Sequence, residues 1–360
     1  MPSFIPGLEL NRRFYQDAVR PLLDKHFPNL PHAAAHIGAG SDVLGFDTEM
    51  STDHGWGPSV HIFLRDEDIH QSANMHEMLS QYLPHEFYGY PVNFDEAADD
   101  PGSRVMKLTN DGPVNHRVFP TTLRDFCWKY LAYDMNKPPD VADWLTFPSQ
   151  LLRGMTAGAV YHDGIGELTA LRSQLAWYPR DVWLYLLASG WQRIGQEEHL
   201  MPRAGLAGDE PGSAIIGSRL ARDVMSLCFL MEKQYAPYPK WFGTAFKQLT
   251  CADKFLPVLW RVQLAPTWRE REAALSEAYE LLARMHNALR ITVKVPESVT
   301  PFFTRPFKVI QGSAIAQSLI EQISDPVLMR IATRPLIGSV DQFSDSTDLR
   351  EGMTYWRAAL

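Results

Sequence analysis

GAGSDVLGFDTEMSTDHGWGP, residues 38–58, is the stretch on which the reading of the whole chain turns. It sets a Gly-Ser turn a short loop ahead of Asp53, after which Val60, Ile62 and Leu64 alternate as in a strand. Glycine lets the backbone approach an anion closely, free N–H groups in such a turn cradle phosphate oxygens, and Ser41 adds a hydroxyl donor. Asp53 at the mouth of a strand is a hard oxygen ligand able to hold Mg²⁺ against those phosphates. The plainer alternative is a turn aspartate that caps nearby backbone N–H groups.

Upstream of this stretch, LELNRRFYQDAVRPLLDKHF carries apolar residues at helical spacing, and Pro28 and Pro31 punctuate its end before AAAHIGAG starts a short buried strand. Downstream, Met75 to Leu83 reads as a short helix, and VNHRVFPTTLRDFCWKYLAY as a strand leading into an amphipathic helix. DEAADDPGS, residues 95–103, reads as an exposed loop. Near Pro138 and Pro139 the character changes, and from Val141 onward helical patterns dominate. The expectation is an α+β chain with an α/β domain over 1–137, built on a short mixed sheet, and a helical domain over 138–360.

Composition narrows the function classes. The chain has 360 residues, a net charge of −8 and no Lys/Arg block, so a partner bound through many phosphate contacts, such as a nucleic acid, is disfavoured. A single nucleotide needs only a few local cations. Cys127, Cys228 and Cys251 are dispersed and form no CxxC unit, which argues against a zinc knuckle or a disulfide framework. No apolar run has the length of a bilayer span, and MPSFIPGLELNRRFY lacks a signal core, so a cytoplasmic protein with no membrane partner is expected.

In the helical half, Ser213 to Tyr235 presents Leu220, Val224, Leu227 and Met231 on one face, with Met225 and Phe229 on a second. Arg222 falls among that second set, where a permanently charged group requires an anion, either a protein carboxylate such as Asp223 or a ligand phosphate. Lys240 follows in the proline-fixed turn YAPYPKW. Glu197 and Glu198, at the end of the aromatic-rich helix that begins near Pro179, are general-base candidates, against the plainer reading of solvated helix-end carboxylates.

Three segments, GSDVLGFDTEMSTDH, WYPRDVWLYLLASGWQRIGQEE and YAPYPKWFGTAF, together resemble the polymerase-beta-like nucleotidyltransferase superfamily. More narrowly they resemble the domain-of-unknown-function 4037 family, over nearly the whole chain. That family's acidic element often reads Asp-His-Asp-Trp-Gly-Pro-Arg, and here Gly55 and Ser59 replace the second acid and the arginine. The resemblance implies ATP- and Mg²⁺-dependent transfer of a nucleoside monophosphate to a hydroxyl of a small acceptor. Gly40 and Ser41 would bind the phosphates, and Asp53 would hold metal with help from Asp47 or Asp95. Arg222 and Lys240 match the helix arginine and post-turn lysine with which antibiotic nucleotidyltransferases reach the nucleotide phosphates. The alternative implied by Gly55 is a nucleotide-binding or regulatory protein of the same fold that has lost transfer chemistry.

Overall fold

The structure, a computed structural model, describes residues 3–97 and 102–352. Residues 98–101 of the acidic loop expected at 95–103 lie outside the described residues, and Asp95 and Glu96 belong to a short strand paired with Arg104–Met106. The architecture is α+β. One four-stranded mixed sheet belongs to the first of two compact units, which holds the chain up to Pro138 together with Leu151–Ala176. The second unit holds Pro139–Gln150 and Trp177–Glu351 and is mainly helical.

The sheet strands are β1 (His32–His36), β2 (Ser59–Leu64), β3 (Arg117–Thr122) and β4 (Ala159–Asp163), in the order β3-β2-β1-β4. β1 runs antiparallel to both β2 and β4, while β2 and β3 are parallel. Because side chains alternate across a strand, the register sorts residues onto two faces. Ala34, Val60, Ile62, Leu64 and Val118 face a core completed by Phe14, Tyr15, Val19, Leu23, Met75 and Leu79. Those residues come from the N-terminal helical run, Gly7–Arg13, Phe14–Val19 and Arg20–His26, and from the helix Ser72–Tyr82. On the opposite face Ala35 pairs with His61, and His61 with Phe119. The His61 ring packs 5.0 Å from Phe126, on the helix Leu123–Leu131 that covers this side.

The expected break at 137/138 does not account for β4. Residues 151–176 return to the first unit and supply an edge strand, AVYHD, that the helical reading of everything beyond Val141 missed. Asp163 ends that strand by accepting the amides of Gly166 at 2.7 Å and Thr169 at 2.9 Å, so it starts the helix Glu167–Gln174 as a turn aspartate does.

In the second unit the helix Arg180–Glu197 is buried on most sides, as its composition requires. The helix Gly312–Ile320 lies against it at a point where both carry glycine: a Cβ on Gly195 would meet the Ser313 amide, and one on Gly312 the Trp191 carbonyl. The helices Glu210–Met231, Ala252–Leu264 and Trp268–Leu289 complete this core, with Leu220, Val224, Leu227 and Met231 buried as their spacing predicts. No described helix is long and apolar enough to cross a membrane.

Candidate functional site

The turn that follows β1 is built by glycine at two left-handed positions, Gly38 at φ 106° and Gly40 at φ 142°. The Gly38 amide donates to the Gly154 carbonyl at 3.0 Å, which ties the turn to the helix Ser149–Thr156. Gly154 is small of necessity, since a Cβ there would strike the Tyr130 hydroxyl and the Gly38 carbonyl. On the far side the Ser41 carbonyl accepts from Phe46 N at 2.8 Å. Between these anchors, the amides of Ala39, Gly40 and Ser41 have no acceptor among the described residues, and Ala39 and Gly40 are exposed. Successive uncommitted N–H groups on a glycine turn are an anion-binding arrangement.

Beneath the turn lies a pair that no sequence spacing announced. The buried Asp42 carboxylate accepts from His36 Nε2 at 2.7 Å and, through Oδ1, from Val43 N at 3.0 Å. Burial by itself raises the Asp42 carboxyl, but the hydrogen bond and charge of His36, the Val43 amide and the charge of Arg117 together hold it below the usual carboxylate range. Because a carboxylate only accepts, the proton of this contact sits on His36 Nε2. A Cβ on Gly40 would collide with the same carboxylate, so Asp42 and Gly40 fix each other's conformation.

Arg117, at the start of β3, stands opposite Ser59 and donates to the Gly55 carbonyl. Its guanidinium lies over the rings of Phe94 and Phe119, at 5.3 and 5.9 Å. Burial lowers the Arg117 pKa, and the Asp42 charge opposes that. Burial pushes His61 down to about 3, helped by the charges of His36 and Arg117, so His61 is neutral under the aromatic cover. The strand histidine HAAAH, the aspartate after the Gly-Ser pair and the arginine of HRVF were the signals available for this cluster.

The carboxylates expected to hold metal each meet a local partner. Asp53 lies in the helical turn Glu49–Asp53, before β2 rather than at its mouth. Its side chain is 65% exposed and accepts the His54 amide at 2.9 Å, with His54 Nδ1 at 3.1 Å. Asp47 spends Oδ2 on the Gly7 amide at 2.7 Å and on the Trp56 indole at 3.0 Å, pinning the N-terminal helix to this loop. Asp95 pairs with Lys107 at 2.8 Å, and that partner lowers its pKa. Among the described residues no group of three or more His, Cys, Asp and Glu side chains is placed to hold a metal ion.

In the second unit the Arg222 guanidinium meets the Asp345 carboxylate and comes within 3.7 Å of Asp223. Asp223 is buried and also faces Arg193 at 3.3 Å; burial raises its pKa against these arginines. Lys240 Nζ sits 5.1 Å over the Trp241 ring. Glu197 pairs with Arg219 at 2.5 Å. Glu198 is 5% exposed and its carboxylate takes the amides of Ile310 at 2.6 Å and Gly312 at 3.1 Å, closing the N-terminus of the helix Gly312–Ile320. Burial raises the Glu198 carboxyl to about 7 in spite of those amides.

Residues 144–242 match the family described as Domain of unknown function (DUF4037). The matched segment contains Glu197, Glu198, Arg222 and Lys240, and it begins downstream of the Gly38–Ser41 turn. The chain is also similar to a nucleotidyltransferase-like protein from Exiguobacterium sibiricum 255-15, at 12% identity and a TM-score of 0.32, over 77% of this chain and 78% of the other. No curated protein matches it.

Proposed function

We propose that this chain binds the phosphates of a nucleoside triphosphate at the Ala39–Ser41 turn without an assembled Mg²⁺ centre, as a nucleotide-binding or regulatory protein of nucleotidyltransferase type. The observation that carries this reading is the run of three uncommitted amides on a turn held by Gly38, Gly154 and the Asp42–His36 pair. Amides of that kind bind phosphate oxygens with no need of a cation, and the half-buried charge of Arg117, which acts on Asp42, adds positive potential. The commitments of Asp47 and Asp95 to local partners support the absence of a metal-dependent step.

One observation favours the second reading, ATP- and Mg²⁺-dependent transfer to a small hydroxyl acceptor. Asp53 is open to solvent, and Gly55 beside it, at φ 63°, has no atom within 4 Å of where a Cβ would lie. Calorimetric titration with the non-hydrolysable analogue AMPPNP separates the two. Binding that persists in EDTA and is unaltered by Asp53→Ala is expected. Binding that requires Mg²⁺ and disappears in Asp53→Ala would overturn the proposal in favour of the transferase.

A further inference from the structure

At the opposite end of β1 from the turn, a cavity of about 300 Å³ opens between the helix Arg20–His26 and the Asn29–Pro31 segment. Buried Leu23, His32 and Met75 form its floor, and exposed Asp24 and Asn29 stand at its mouth. We infer that this cavity is a binding site for a small planar carboxylic acid, with its apolar body on Leu23, Phe27 and Met75 and its carboxylate on Arg20 and His162.

The commitments of the polar groups lead to that ligand. His32 Nδ1 faces the Leu30 carbonyl at 3.2 Å, so it carries the proton, and Nε2 accepts from the Tyr15 hydroxyl at 2.9 Å. Both His32 nitrogens are therefore spent, and the ring is a wall. Arg20 gives its Nε to both Asp24 oxygens, at 2.8 and 3.0 Å, and reaches the Tyr15 hydroxyl through Nη1 at only 3.5 Å. Its outer N–H groups keep donor capacity in the fork geometry that suits a carboxylate. His162 on β4 lies 4.8 Å from His32, ring to ring, and its nitrogens have no hydrogen-bond partner among the described residues. Burial lowers the pKa of both imidazoles, and the Arg20 charge adds to that while the Asp24 charge opposes it, so the Arg20–Asp24 pair stands beside both rings.

The polar groups with spare capacity at the cavity are thus the outer N–H groups of Arg20, whose Nε is paired with Asp24, and the His162 imidazole, beside apolar walls. An apolar cavity of roughly 150 Å³ accepts benzene, so the space here accommodates one or two fused rings with a polar head. The site is separate from the phosphate turn, since β1 between them spans about 13 Å.

Calorimetric titration of the whole chain with benzoate, and with benzyl alcohol as an uncharged probe of similar shape, tests the assignment. Benzoate is expected to bind at least tenfold more tightly than benzyl alcohol. Arg20→Gln, a change at a half-buried helix position, should remove that preference while leaving AMPPNP binding unchanged. Leu23→Trp fills the floor and should abolish binding of both probes. No benzoate binding by the native chain, equal affinity for the two probes, or benzoate affinity unaltered by Arg20→Gln would each overturn the inference. If Leu23→Trp fails to fold, Arg20→Gln decides alone.

Discussion

Replacing Glu198 by glutamine should change how the stability of the second unit depends on pH. The native carboxyl titrates near 7 because burial penalises its charge, against an ordinary value of 4.5 in the unfolded chain. For a group whose folded pKa is raised, the stabilising contribution is complete below 4.5 and is lost as pH rises through 7. A shift of that size corresponds to about 3 kcal/mol across the window from 4.5 to 8. Glutamine has one acceptor for two facing amides, and its NH₂ group meets the other N–H, so the variant is less stable overall and insensitive to pH at this position. Subtracting the variant curve from the native one cancels the titrations of other groups, including His286, which burial lowers to about 4. Urea unfolding followed by tryptophan fluorescence reports mainly the second unit, where Trp144, Trp177, Trp183, Trp191, Trp241, Trp260 and Trp268 lie. The expected difference between native and variant stability shrinks by about 3 kcal/mol from pH 4.5 to 8. A difference that stays flat refutes the burial of Glu198 as a helix cap.

The other perturbations separate local structural roles from ligand binding. Asp47→Ala leaves the Gly7 amide and the Trp56 indole without their acceptor and should cost the first unit about 2 to 4 kcal/mol in chemical denaturation. Asp53→Ala, at an exposed turn, should change stability by less than about 0.5 kcal/mol in the same measurement. Gly154→Ala drives a methyl group into Tyr130 and Gly38 and should cost about 1 to 3 kcal/mol. Because it displaces the anchor of the turn, Gly154→Ala should also weaken AMPPNP binding, which calorimetry reads directly.

Elements with many residues in one period were readable from sequence: the helical run from Gly7 to His26, the strand Ser59–Leu64, and the strand-helix pair at 117–131 all stand where their patterns put them. β4 was missed because AVYHD is an edge strand of five half-buried residues, too short and too mixed to show a period of two between helices. Its arrival beside β1 is a pairing across more than a hundred residues, which periodicity does not encode. The Gly-Ser turn was legible because glycine has few substitutes at positive φ, whereas the Asp42–His36–Arg117 grouping depends on the register of three strands. The dispersed cysteines show the same limit, since burial, with Cys251 adding to it, raises the Cys228 thiol well above its ordinary value. In the tail GSVDQFSDSTDL, Ser339 caps the short helix Val340–Phe343, and Asp341 accepts the amide of Ser149, a residue far away in sequence, at 2.7 Å. Arg222 was expected to meet either a ligand phosphate or a protein carboxylate such as Asp223, and Asp345, more than a hundred residues later, is a partner that sequence spacing had no means to indicate.

Whether the turn after β1 grips phosphate is tested most directly by the amide resonances of Ala39, Gly40 and Ser41 in a ¹⁵N-labelled sample titrated with AMPPNP in EDTA. Phosphate accepting from these N–H groups moves their signals downfield in a saturable way, with the Gly38 amide, already bonded to Gly154, moving least. Nucleotide that binds while these three resonances stay in place, or a titration that shifts nothing in the first unit, would contradict phosphate binding at the turn.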